Sequence, residues 1–127
     1  MHALRRIHAA LAAEGLLVDT QPVSHDPPIR LGDAELGRLD MRAWAQTIAA
    51  VDRETGTVVD DALFRLERER SLTVTDHYDD GPDLFSYVQE WQGTHVPPSL
   101  ARTLSRTSAP LRLDQEIRLR LYRALRN

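Results

Sequence analysis

The chain has 127 residues, 42% hydrophobic and 28% charged, with 16 basic side chains against 19 acidic ones and no cysteine. That length fits one domain over residues 1 to 127 with a modest core, and the composition excludes fibrous and disordered classes. The formal charge of −3 argues against nucleic acid, the lack of cysteine excludes disulfides and thiolate chemistry, and no run nears the roughly 18 apolar residues of a membrane span, so the expectation is a cytoplasmic protein with neither nucleic-acid nor membrane partner.

Leu4, Ile7 and Leu11 recur at helical spacing ahead of Gly15, which predicts a helix over residues 2 to 14 capped by that glycine. The unalternated run Leu16, Leu17, Val18 predicts a short strand covered on both faces. Three prolines between residues 21 and 28 predict a loop. Gly32 and Asp33, set between Ile29-Arg30-Leu31 and Ala34-Glu35-Leu36, predict a hairpin with a type II′ turn. Trp44, Ile48 and Val51 share a helical face; after Thr55 and Gly56, Val58, Ala62, Leu63 and Leu66 predict a second helix, with Asp61 and Arg65 as an i,i+4 pair.

Alternation from residue 70 to 78, rich in Thr and Val, predicts a strand. Asp79-Asp80-Gly81-Pro82 closes it, and Leu84, Val88 and Trp91 predict a helix stopped by Gly93. Pro97, Pro98 and Ser99 open another helix around Leu100 and Leu104. Residues 111 to 122 are good helix formers in a period-two pattern, and the pattern outranks the propensity: a strand is expected.

Among chemistry-bearing groups, His77, Tyr78, Asp79 and Asp80 form the densest ionisable cluster, raw material for a metal site or an acid/base pair. On a strand, however, His77 and Asp79 share one face while Tyr78 and Asp80 point away, which favours a solvated strand end. His25-Asp26 lacks a nucleophile beside it. Asp60-Asp61 reads as solubilising, and Trp44 and Trp91 as packing residues. Of the arginines at 112, 118, 120, 123 and 126, Arg112, Arg118 and Arg120 would line one strand face with Asp114 and Glu116, which suits cross-strand salt bridges better than phosphate binding. The six glycines are isolated, so no phosphate-cradling loop exists, and the five histidines have no metal-ligand spacing.

The stretch RRIHAALAAEGLLVD, followed by helices, a strand, helices and a long last strand, resembles the C-terminal portion of class I S-adenosylmethionine-dependent methyltransferases. On that resemblance Leu16, Leu17, Val18 and Asp19 match the family's fifth strand, residues 70 to 78 its sixth, and residues 111 to 122 the antiparallel seventh between them. The family's glycine-rich loop and ribose-gripping acid have no counterpart here, so the resemblance implies no cofactor and no cofactor-binding residue. The expected fold is α/β or α+β, a three-stranded mixed sheet packed by helices with a hairpin insert. The expected function is association with itself or a protein partner through the edge formed by Leu16, Leu17, Val18 and Asp19. A subunit of a split methyltransferase and a small-ligand-binding module are the alternatives.

Overall fold

The computed structural model describes residues 2 to 125. The elements are α1 (His2–Ala10), β1 (Leu16–Pro22), β2 (Pro28–Leu31), β3 (Ala34–Arg38), α2 (Arg42–Asp60), β4 (Phe64–Tyr78), α3 (Gly81–Val88), α4 (Pro98–Ser105) and β5 (Leu111–Ala124). The fold is α+β, and the sheet corrects the sequence expectation. It is five-stranded and antiparallel in the order β1-β5-β2-β3, with β4 also paired to β5, rather than three-stranded and mixed. The hairpin is no insert, because Ile29 and Arg30 of β2 pair with Leu113 and Arg112 of β5. Its turn has a positive φ at Gly32 (58°) and not at Asp33, the combination that type II′ requires.

The contacts group into two compact units. The first comprises residues 1 to 22, 48 to 72 and 117 to 127; the second, residues 23 to 47 and 73 to 116.

In the second unit, Ile29, Leu39, Met41, Tyr78, Leu84, Val88, Leu100, Leu104, Leu111 and Leu113 form one buried cluster. Its helices start where the sequence punctuates them. Asp80 caps α3 by accepting the Asp83 N–H at 2.8 Å, and the Asp79 N–H donates to the Asp83 carboxylate at 2.9 Å. Gly81 lets two backbones touch, since a Cβ there would lie 1.8 Å from the Leu104 carbonyl oxygen. Each fully buried Leu or Ile contributes roughly 1.5–3 kcal/mol.

In the first unit, Val58, Phe64, Tyr122 and Ala124 are the buried cluster, with Leu4, Leu11, Leu17, Val59 and Leu63 packed against it. Phe64 meets His8 edge-on at 5.3 Å and Tyr122 at 6.4 Å. Three expectations fail here for tertiary reasons. First, α1 stops at Ala10, and the left-handed residue in the turn after it is Glu14 (φ 62°), not Gly15. Second, α2 runs unbroken through Gly56, whose roughly 1 kcal/mol cost is outweighed by burial of Ile48, Thr55 and Val58 on one face.

Third, no second helix follows, and β4 begins at Phe64. The Leu63 N–H bonds the Val58 carbonyl and the Ala62 N–H bonds that of Val59, a Schellman stop with Ala62 held at φ 58°. Asp61 pairs with Arg5 and Arg65 with Glu67, so the expected Asp61–Arg65 pair is absent from the structure.

Candidate functional site

Of the cluster His77, Tyr78, Asp79 and Asp80, the two aspartates belong to the α3 cap and His77 is exposed. Tyr78 is buried against Tyr87 (5.7 Å), and burial, with Asp76 and Asp83 nearby, pushes its hydroxyl up to about 12. That is the chemistry of a helix start and a core phenol, and nothing converges on a shared point. His25 is likewise exposed, while Asp26 accepts the Met41 N–H. Among the described residues no group of histidines and carboxylates gathers to hold a metal. None of the helices there is long and apolar enough to cross a membrane.

The arginines divide differently from the sequence reading, because the buried parity of β5 changes between Gln115 and Arg118. Arg118 is therefore buried on the face that carries Tyr122, and it grips Asp52 of α2 through two bonds of 3.0 and 2.7 Å. Arg120 joins Asp52 and Glu69 at 3.2 Å each, and Arg123 chelates Glu67. Paired guanidiniums hold both acids below their usual range: Asp52 chiefly through Arg118, and Glu67, chiefly through Arg123, down to about 2. In the second unit Arg112 lies 3.9 Å from Asp114. Arg126 falls outside the described residues.

The residues Leu16, Leu17, Val18 and Asp19 all lie in β1, which extends to Pro22. β1 pairs only with β5 among the described residues. The Ala124 N–H bonds the Gly15 carbonyl at 2.8 Å, and Leu16 stands opposite Arg123 in the register. Antiparallel alternation then turns the backbone groups of Leu17, Asp19 and Gln21 toward β5, and those of Leu16, Val18 and Thr20 toward the open edge. Leu16 is 49% and Val18 64% exposed. On the same sheet face stand Leu121, opposite Val18, and Leu119, opposite Thr20.

The other face of β1 borders a cavity of about 270 Å³ inside the first unit. Leu4 and Ile7 of α1, Leu17, Val51, Val58 and Phe64 wall it, and Asp19, Gln21 and Glu54 stand at its polar side. Asp19 accepts a bond from Gln21 at 2.9 Å. Neither the edge nor the cavity carries a motif. The only sequence signal for either was the apolar run at residues 16 to 18, read as doubly covered when one face is open.

A second hollow, in the second unit, is lined by Asp40, Arg42, Gly93, Thr94 and His95. Arg42 chelates Asp40 with bonds of 3.0 and 2.7 Å, which holds that carboxyl down to about 2, and the Asp40 side chain also accepts the Arg42 N–H at the start of α2. Both groups are thus consumed in capping. Comparison with known proteins finds no matching family model, no matching curated protein and no matching solved structure, so the methyltransferase resemblance gains no support from that side.

Proposed function

We propose that the chain acts by association, and that its partner is a second copy of itself joined through β1. One observation carries this reading: the open β1 edge, with Leu16 and Val18 exposed beside it. An exposed edge offers a row of unpaired donors and acceptors, and the usual protections are charges, bulges or proline along it. Here the one proline of the strand is its last residue, Pro22. A twofold antiparallel pairing centred on Val18 sets Leu16 opposite Thr20 of the other copy and satisfies both edges at once. Strand edges alone bury too little for a stable dimer, which needs more than about 1,000 Å². The apolar face of Leu16, Val18, Leu119 and Leu121 supplies the remainder.

Since the chain has no cysteine, single substitutions report the register cleanly. On oxidation Val18→Cys crosslinks to a dimer, its Cα atoms meeting near 5.5 Å, whereas Leu17→Cys, facing the interior, does not. Sedimentation of the unmodified chain gives a dimer, and Val18→Pro gives a monomer with an unchanged circular dichroism spectrum, because the lost N–H faces the open edge. A chain that sediments as a monomer at millimolar concentration refutes the proposal.

A further inference from the structure

We infer that the cavity of the first unit is a binding site for a small uncharged apolar molecule of roughly ten heavy atoms, selected by fit and apolarity and not by charge. The size follows from the space: an apolar cavity of about 150 Å³ accepts a benzene ring, and this one is about 270 Å³. Its most buried lining residues, Val58, Phe64 and Tyr122, are at most 3% exposed, while Leu4, Leu17 and Val51 are half-buried. Ile7 lines it too and is 37% exposed. An apolar molecule in the space covers that side chain together with the half-buried walls, which is the favourable direction for apolar surface. Water is a poor occupant beside them, for want of the two to four polar partners each molecule needs.

The polar groups around the cavity are occupied within the protein. Asp19 accepts from Gln21 at 2.9 Å, the Thr55 hydroxyl donates to the Val51 carbonyl at 2.8 Å, the Tyr122 hydroxyl interacts with Arg120, and Glu54 has a partner of its own. A ligand charge carried into this space loses its water and meets no carboxylate or hydroxyl kept free for it, and a desolvated charge without a partner is the costly case. An uncharged apolar body has no such hydration to lose and gains contact with every wall. Small-molecule pockets usually add a few placed polar groups to apolar walls to fix orientation; here those groups hold one another, and the walls carry the recognition. Every lining residue comes from one copy of the chain, so the site does not depend on the β1 dimer.

The test titrates the full chain with three probes of one shape: propylbenzene as the uncharged apolar molecule, 2-phenylethylamine as the cation and 3-phenylpropanoate as the anion. Methyl resonances of Leu4, Leu17, Val51 and Val58 are followed by NMR, with those of Val88 and Leu104 in the second unit as the control. Propylbenzene is expected to move the first set saturably and leave the second in place, and both ions to bind about tenfold more weakly or worse. Val51→Phe, which fills the space, abolishes binding, with circular dichroism checking that it folds. Ile7→Ala, at a position exposed enough to spare the fold, weakens propylbenzene severalfold. Either ion binding as tightly as propylbenzene overturns the uncharged assignment. No methyl response to any probe, equal shifts in the two sets of methyls, or undiminished binding in a folded variant overturns the site. Methyl shifts that depend on protein dilution alone, with no probe response, mean that a side chain of a second copy occupies the cavity; that outcome sinks the ligand while leaving the β1 dimer standing.

Discussion

The two compact units bury apolar side chains in contrasting ways. The second unit closes ten buried residues into a single cluster, and even its glycine at position 81 is filled to backbone contact. The first unit has a buried cluster of four, an ion network reaching under its sheet, an open strand edge and a cavity. Tight packing leaves nothing for a partner to hold, whereas incomplete packing costs stability and creates surface that recognises something. On the proposed association through β1, it is the first unit that would meet a partner.

Both tryptophans, Trp44 and Trp91, lie in the second unit, so indole fluorescence reports that unit while circular dichroism reports both. The largest expected effect is Gly81→Ala. Its methyl would collide with the Leu104 backbone, not with a side chain that can move, so a loss above about 3 kcal/mol is expected, seen as an early fluorescence transition in urea. Asp52→Ala should follow at about 2–3 kcal/mol, between the values for exposed and buried pairs, because it strands the Arg118 guanidinium under the sheet. Its signature is a circular dichroism transition that precedes the fluorescence one.

Smaller changes sharpen the contrast by acting in the stabilising direction. Val51→Leu adds a methylene to a wall with room for it and should raise the midpoint by about 0.8 kcal/mol. The same enlargement at Val88, fully buried in the second unit, should lower it by about 1–3 kcal/mol. Ala62→Gly relieves a left-handed alanine at the end of α2 and should gain about 0.5–1 kcal/mol in thermal melting, net of the entropy of glycine.

The smallest effect is acid sensitivity. Glu67 ionises at about 2 in the folded chain and at 4.5 in the unfolded one, and Asp52 is lowered in the same direction. The unfolded chain thus takes up protons first as pH falls. The stability these groups contribute is present above pH 4.5 and is lost between there and about 2. Glu67→Gln should flatten that acid limb in urea titrations followed by circular dichroism, while the unaltered fluorescence limb retains the contribution of Asp40.

The sequence by itself determined the pieces whose causes lie within a few residues. Gly32 and Asp33 fixed the hairpin, because only glycine takes the first turn position without strain. Asp79, Asp80, Gly81 and Pro82 marked the break before α3, where Asp80 is the cap, and Pro97, Pro98 and Ser99 the start of α4, where proline's fixed φ suits the first turn. Period-two alternation identified the strand at residues 70 to 78 and kept residues 111 to 122 out of a helix. The tertiary structure alone decided where β1 ends, that α2 ignores Gly56, that Ala62 terminates it, and that β4 starts at Phe64. Each depends on what packs against the segment from far along the chain.

The same holds for the candidate site. Residues 16 to 19 were legible as an apolar strand, but its open edge follows from pairing with β5, whose Arg123, opposite Leu16, lies more than a hundred residues along the chain. The expected cross-strand salt bridges form from Arg120 to Glu69 and from Arg123 to Glu67, but the change of buried parity between Gln115 and Arg118 also carries Arg118 beneath the sheet to Asp52 of α2. No period read along β5 contains that change, because it depends on which helix covers each half of the strand. Beyond the apolar run at residues 16 to 18 the cavity had no sequence signal: it is the space left between α1, β1 and α2 when each satisfies its own local rules, and only the assembled packing defines it.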